Sequence, residues 1–179
     1  MTDTAQKSKA ISVYALFGVT IVLTLIPVMA AGFASLILAI ALIVVAYKMR
    51  GEKDTARKTL DESHASYILR SIAGVSILMT ITLGLGIVYL LGNIDYAAFE
   101  PCAQNLASLG TDPADISNAA VMQLAAPCID GFIAANKAVL IKSMLITALL
   151  PLLYIGWRFV YGVSRALKKQ RIDNPYKWI

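Results

Sequence analysis

The fold is decided by residues 10–47, which read AISVYALFGVTIVLTLIPVMAAGFASLILAIALIVVAY and contain no charged side chain. A helix needs about 20 apolar residues to cross a bilayer, because the hydrocarbon core is about 30 Å thick and each residue adds about 1.5 Å. One helix over the whole run would be about 57 Å long, which is too long for a single span. A break at Pro27 to Gly32 therefore predicts two spans, at about 9–27 and 31–49, joined as a tight hairpin.

Two further apolar runs follow. Residues 71–94 carry no charge and predict a third span at about 67–92. The last run has only 15 uncharged residues between Lys142 and Arg158, or about 22 Å of helix. A fourth span at about 136–164 fits if these two side chains extend their charges toward opposite interfaces. The sequence thus predicts an all-α integral membrane protein with four transmembrane helices.

The composition supports this class and argues against others. Of the 179 residues, 58% are hydrophobic and 15% are charged, whereas about a quarter of an average soluble domain is charged. This balance argues against a soluble globular protein and a nucleic-acid binder. One histidine and two cysteines are too few for a four-ligand zinc site, and no phosphate-binding loop or nucleophile motif occurs. We therefore expect no enzymatic activity, no cofactor and no nucleic-acid partner.

The charges predict the orientation. The amino-terminal tail, residues 48–66 and the carboxyl-terminal end share one side, and with Arg70 and Arg158 they hold 14 basic and six acidic residues. The other side holds two lysines and five acids. The positive-inside rule then places both termini and the 50–66 loop in the cytoplasm. A basic run after the last helix predicts contact with anionic lipid, through Arg165, Lys168, Lys169 and Arg171.

Residues 93–136 form the predicted segment on the opposite, periplasmic side. A helix over about 113–125, ending before Pro127, and a shorter helix over about 101–109 are expected there. Both cysteines, Cys102 and Cys128, fall in this segment. A structural disulfide is the leading interpretation, because such a bond persists in a periplasm. Free thiols and redox catalysis are the alternatives, although redox enzymes of this kind use a Cys-x-x-Cys pair.

Small and polar residues recur every fourth position in the third span, at Ser76, Thr80 and Gly84. This spacing places them on one face of a helix and is typical of helix-packing surfaces in membranes. We expect the face to pack within the chain. Dimerisation through it is the alternative.

Several charged residues are candidates for interfacial or functional roles. Glu62, His64 and Arg70 lie at the entry to the third span. His64 is either a locally hydrogen-bonded residue at the start of a helix or a proton sensor, and Arg70 is expected to pair with Glu62, with Asp61 or with lipid phosphate. Lys142 lies deepest in the apolar sequence, so it either extends to the outer interface or serves a function inside the membrane.

The entry to the third span and the end of the fourth carry short motifs that resemble a known family. Ala46-Tyr47-Lys48-Met49-Arg50 precedes a charged loop, and Glu62-Ser63-His64 is followed after six residues by Arg70. Near the carboxyl terminus Trp157 and Arg158 are followed by Gly162. This pattern is similar to a family of small proteobacterial four-helix inner-membrane proteins without a settled function. Its distant relatives include magnetosome membrane proteins and a chloroplast inner-envelope import subunit.

The resemblance covers about residues 10–92 and 140–170. It departs from the family just after His64, where Ala65, Ser66 and Ile68 replace the usual aromatic and glutamine residues. The segment with the two cysteines looks like an insertion. The resemblance implies a four-helix protein of a bacterial inner membrane, and a transport or assembly role follows by analogy alone.

Three functions are compatible with these patterns. The leading hypothesis is a non-enzymatic accessory subunit or assembly factor that docks on a larger membrane complex or on a second copy of itself. A small channel or carrier is the first alternative, based on Lys142, Pro151 and the Gly84-Leu85-Gly86 break, because interrupted helices line many transport sites. A periplasm-facing thiol redox protein is the second.

Overall fold

The computed structural model describes residues 3–50, 59–100, 102, 104 and 118–172. Within these ranges the protein has four long helices and no strand. They are α1 (Asp3–Leu25), α2 (Met29–Met49), α3 (Leu60–Asn93) and α4 (Asn118–Leu167), with a short 3₁₀ turn at Ala97–Phe99. Each of the four helices contains a stretch that is long and apolar enough to cross a membrane. The prediction of an all-α protein with four such helices is confirmed.

The break between α1 and α2 lies where proline predicts it, but it is shorter than expected. Only Ile26, Pro27 and Val28 separate the helices, and Val28 is extended with φ −126° and ψ 131°. Gly32 already donates its N–H to the carbonyl of Val28 at 3.0 Å, an ordinary helical bond. The small residues before it therefore belong to the first turn of α2, and α1 and α2 contact each other.

Helix α3 begins seven residues before the predicted third span. Thr59 caps it, because the Thr59 N–H donates to Glu62 Oε2 at 2.8 Å and the Thr59 carbonyl accepts from the Ser63 N–H at 3.1 Å. A threonine followed three residues later by glutamate is the pattern of a capping box. Residues 60–66, expected in the loop, are thus helical. Residues 51–58 lie outside the described part of the chain.

The expected helix end before Pro127 is wrong, because α4 runs without interruption from Asn118 to Leu167. Its 50 residues correspond to about 75 Å, more than twice the hydrocarbon thickness. A proline inside a helix costs about 3 kcal/mol. Two contacts in the residues after Pro127 offset this cost. Cys128 is bonded to Cys102, and the Phe132 ring stacks on Phe99 with ring centroids 4.2 Å apart. Of the predicted helix over 101–109 only residues 102 and 104 are described, and both are helical, whereas residues 113–117 lie outside the described residues.

The chain divides into two compact units. Unit 1 comprises Met1–Leu78 with Pro151–Ile179, and unit 2 is Met79–Leu150. Unit 1 contains a buried core contributed by all four helices and by the segment after α4. Large apolar side chains remain exposed on the isolated chain, for example on α2, where they are Met29, Phe33, Leu36, Ile37 and Ile40. A face this apolar is what a lipid-facing helix requires.

Candidate functional site

His64 lies in the second turn of α3 and is 1% exposed. Its Nε2 is 3.1 Å from the carbonyl oxygen of Gln170, and its Nδ1 is 3.0 Å from Tyr14 Oη. A carbonyl oxygen can only accept, so Nε2 carries the hydrogen of a neutral ring and Nδ1 accepts from the tyrosine hydroxyl. The expected local hydrogen bond is wrong, because the two partners lie on α1 and beyond the end of α4.

The chain reverses after α4 and returns to His64. The Lys169 N–H bonds the carbonyl of Ala166 at 3.1 Å and the Gln170 N–H bonds that of Arg165 at 2.9 Å, while Lys169 adopts φ 56°. This is a Schellman motif with a left-handed residue after the helix. It directs the next residues onto α3, where the Ile172 N–H donates to Ser63 Oγ at 3.4 Å and the Ile172 side chain is 5% exposed.

Arg158 is buried against α3 instead of extending to an interface. It is 5% exposed, its Nε donates to Ser71 Oγ at 2.9 Å, and its guanidinium carbon lies 3.8 Å above the centroid of the Tyr67 ring. The Tyr67 hydroxyl in turn donates to the Arg158 carbonyl at 3.1 Å. A desolvated cation over an aromatic face gains about 2 kcal/mol. The predicted extension of Arg158 toward the bilayer surface is therefore wrong, because α3 supplies its contacts.

Glycines make room for the aromatic side chains of this region. A Cβ on Gly162 would collide with the Tyr14 ring, and one on Gly74 would collide with Tyr154. Gly162 follows Arg158 by one helical turn, as in the resemblance described above. Its role in this fold is steric, since it lets the Tyr14 ring lie against α4 and reach His64.

We call the residues that converge here the buried polar cluster of unit 1. Its members are Tyr14, His64, Tyr67, Ser71 and Arg158, with the Gln170 carbonyl. Every side chain among them is at most 5% exposed. The hydrogen bonds join α1, α3, α4 and the segment after α4, so the cluster ties together parts of the chain that are far apart in sequence.

Sequence reasoning found His64 and Arg158 but missed their partners. Tyr14, Tyr67 and Ser71 were not among the candidate residues. A signal was present, because His64, Tyr67 and Ser71 are spaced three and four residues apart and so share one helical face. Polar residues with that spacing inside an apolar helix indicate a buried contact with another helix.

Unit 2 has its own buried polar residue, Asn136, which is 1% exposed. Its Oδ1 accepts from the Asp95 N–H at 2.7 Å, and its Nδ2 donates to the carbonyls of Asp95 and Phe132, both at 3.1 Å. All three bonds use the amide in one orientation. Asn136 thereby fastens the residues after α3 to the side of α4.

The small-residue face that packs inside unit 2 is not the predicted one. Thr82 Oγ1 donates to the Thr147 carbonyl at 2.8 Å and Ser143 Oγ donates to the Gly86 carbonyl at 2.9 Å, so α3 and α4 approach closely there. The predicted residues Ser76, Thr80 and Gly84 are exposed on the isolated chain. A Cβ built on Gly84 meets no atom within 4 Å. Residues 82 and 84 point about 160° apart on a helix, so the two faces are almost opposite.

The remaining candidates occupy simpler positions. Lys142 is exposed on α4, Arg70 is half-buried, and Glu62 caps α3. Of the basic residues predicted to contact lipid, Arg165 lies in the last turn of α4 and over the Tyr161 ring, with its guanidinium carbon 5.2 Å from the centroid. The others are exposed: Lys168, Lys169 and Arg171. Within the described residues no cluster of three or more histidines, cysteines and acidic residues has the geometry to hold a metal ion.

Cys102 and Cys128 lie at disulfide distance, with Cα atoms 5.7 Å apart and a sequence separation of 26. A crosslink over such a loop stabilises a fold by roughly 3 kcal/mol in the chain-entropy model. We expect Cys102→Ser together with Cys128→Ser to speed hydrogen exchange in α4 next to residue 128 and to leave exchange around His64 unchanged. Faster exchange around His64 as well would contradict this expectation. Mass spectrometry of the detergent-solubilised protein measures both regions at once.

Comparison of the chain with family models, curated proteins and solved structures finds no match.

Proposed function

We propose that this chain is a non-enzymatic accessory subunit or assembly factor of a bacterial inner membrane, which docks on a larger membrane complex through the exposed small-residue face of α3. We define that face by Ser76, Thr80 and Gly84. In the proposed topology α1 and α2 form a hairpin, both termini lie in the cytoplasm, and the residues that follow α3 are periplasmic. The charge distribution supports this orientation through the positive-inside rule.

The observation that carries the proposal is the open space over Gly84. A Cβ there meets nothing within 4 Å, whereas one on Gly86 of the same helix would collide with Thr147. Helices in lipid associate mainly by close packing, and small residues permit backbones to approach. The face that the chain leaves open therefore has the composition of a helix-packing surface, which favours a second helix as its neighbour.

The hydrogen bonds of the buried polar side chains in unit 1 also favour a structural role. His64, Tyr67 and Arg158 are buried and hydrogen-bonded to other parts of the same chain. Such a network rigidifies a fold and fixes the position of its elements. A hydrogen-bonded frame and an exposed helix face of small residues suit a protein that binds other membrane helices.

The proposal predicts that a bulky residue at position 84 disrupts docking. We expect Gly84→Leu to reduce the yield of co-purifying partner by about tenfold in mild detergent, because each 1.4 kcal/mol lost from close packing is a factor of ten in affinity. The partners are measured by mass spectrometry after gentle extraction from the native membrane. Gly131→Leu is the matched control, since it adds the same side chain to an exposed, open position of unit 2 that lies on α4 and not on this face.

Three outcomes separate the hypotheses. Loss of partners with Gly84→Leu but not with Gly131→Leu supports the proposed docking face. Loss of a second copy of this chain alone assigns the face to a homo-oligomer instead. A wild-type protein that purifies repeatedly as a lone monomer contradicts the proposal.

A further inference from the structure

We propose that His64 is a proton-controlled latch, which holds the segment after α4 against α3 while its ring is neutral and releases that segment when the ring is protonated. This inference does not depend on the proposed docking face. It concerns residues 170–172, which we call the latched segment, and their contacts with α1 and α3.

The latch has two backbone contacts. The Gln170 carbonyl accepts from His64 Nε2 at 3.1 Å, and the Ile172 N–H donates to Ser63 Oγ at 3.4 Å. The latched segment contributes only main-chain groups, the Gln170 carbonyl and the Ile172 N–H. α3 contributes the side chains of two adjacent residues, His64 and Ser63. The Ile172 side chain is buried beside them. The imidazole thus supplies the shorter of the two hydrogen bonds that hold this segment.

The hydrogen-bond pattern fits a neutral ring. When Nε2 of a neutral imidazole donates to the Gln170 carbonyl, Nδ1 is an acceptor and the Tyr14 hydroxyl is its donor. Protonation places a hydrogen on Nδ1, so two donors face each other until the tyrosine hydroxyl rotates. Tyr14 is 2% exposed, and its ring lies against Gly162 and His64. Once Nδ1 is protonated, the Tyr14 hydroxyl loses its acceptor while it remains buried, and an unsatisfied buried donor destabilises the docked state.

Protonation keeps and strengthens the bond from Nε2 to the Gln170 carbonyl, so release has to come from the cost of burying an imidazolium and from the positive charge nearby. The titratable and charged groups that face it among the described residues are Tyr14 on α1 and Arg165 on α4. Arg158 on α4 interacts electrostatically with Tyr14 and lies in the same cluster. On α3 itself, Glu62 is directed to the Thr59 N–H. An imidazolium would therefore add a positive charge near the Arg165 guanidinium, which weakens the docked arrangement.

Release is expected in the range where histidine titrates, between about pH 8 and about pH 5. The basic residues that flank Gln170 favour release once the ring is charged, because they are positive as well. These residues are Lys168, Lys169 and Arg171, all exposed. His64 is the only histidine of the chain, so this pH range isolates it from other histidines.

The latch is tested by the mobility of a nitroxide spin label at Arg171→Cys, on the full chain in lipid nanodiscs. Arg171 is exposed, and the latch contacts on either side of it are made by backbone atoms. We expect the mobile fraction of the spectrum to rise from about a tenth at pH 8 to more than about half at pH 5. The same label at Ser164→Cys, an exposed position within α4, is the control and stays unchanged.

Two variants distinguish the latch from general loosening. A glutamine amide offers a donor and an acceptor but does not titrate, so His64→Gln is expected to keep the label immobile at both pH values. His64→Ala is expected to be mobile at both. A pH-independent wild-type spectrum overturns the proposal, as does a release in His64→Gln that matches wild type, or a change of equal size at position 164.

Discussion

Gly162→Ala is expected to destabilise the protein by about 1–3 kcal/mol, although alanine is a better helix former than glycine by about 1 kcal/mol. The new Cβ collides with the ring and the hydroxyl end of Tyr14. That ring is buried and its hydroxyl is bonded to His64, so it has little room to move. Relieving the clash breaks the Tyr14–His64 bond, which adds about 1 kcal/mol to the cost.

Gly156→Ala is the matched control. Gly156 lies in the same helix and the same unit, and a Cβ there meets nothing within 4 Å. It is expected to stabilise the protein by up to about 1 kcal/mol, so the two substitutions differ in sign. Thermal unfolding in detergent, followed by circular dichroism, measures both. Equal midpoints for the two variants would contradict the steric role of Gly162.

A double-mutant cycle identifies the colliding partner. In a Tyr14→Ala background the space above Gly162 is vacated, and Gly162→Ala is then expected to behave like Gly156→Ala. The coupling energy between positions 14 and 162 is expected to be about 1–3 kcal/mol, the range found for residues in direct contact. A coupling near zero would show that another neighbour of Gly162 is responsible.

The helices of this protein were predictable from sequence because apolar run length and proline act locally. The uncharged run over 10–47 requires two helices, and Pro27 falls in the connection. Proline is a weaker guide where other contacts oppose it. Pro127 lies inside α4, because the crosslink at Cys128 and the stacked Phe132 follow within two turns and depend on distant residues.

The faces of the helices were harder to predict than their existence. α3 carries two sets of small and polar residues at four-residue spacing, and Thr82 and Gly86 of one set form hydrogen bonds with α4. Spacing reveals that a face exists, whereas which face is buried depends on the neighbouring helix. Thr82 and Gly86 contact α4, while Gly84 remains open.

The candidate site depends on a turn that has no sequence signal. The segment after α4 reaches His64 because Lys169 adopts a left-handed conformation. Glycine or asparagine usually takes this position, so a lysine there does not predict a reversal. Without the reversal, the Gln170 carbonyl has no reason to approach a residue 106 positions earlier. His64 was recognisable as a candidate, but its partner was not.

Asn136→Asp is expected to destabilise unit 2 by about 3 kcal/mol or more, the largest effect of a single substitution considered. The side-chain nitrogen of Asn136 donates to the carbonyls of Asp95 and Phe132. Aspartate replaces that donor with an oxygen, so a buried carboxylate faces two carbonyl oxygens at about 3 Å. Only the bond from the Asp95 N–H survives the change.

Asn93→Asp is the matched control for this substitution. The Asn93 amide donates one hydrogen bond to the Tyr89 carbonyl at 2.8 Å, but the residue is exposed. Water can solvate an exposed carboxylate, so the control is expected to shift stability by no more than about 0.5 kcal/mol. Both variants carry the same change of charge, and therefore only burial and the number of bonds distinguish them.

Acidic pH provides an internal check on the cause. A protonated carboxylic acid has one donor and keeps an acceptor, so it restores one of the two lost bonds at position 136. The difference in thermal midpoint between wild type and Asn136→Asp is therefore expected to narrow as the pH falls, while the Asn93→Asp difference stays small throughout. A constant difference would mean that the loss arises from side-chain shape and not from the missing donor. A narrowing difference would establish that Asn136 holds the residues after α3 through the hydrogens of its amide.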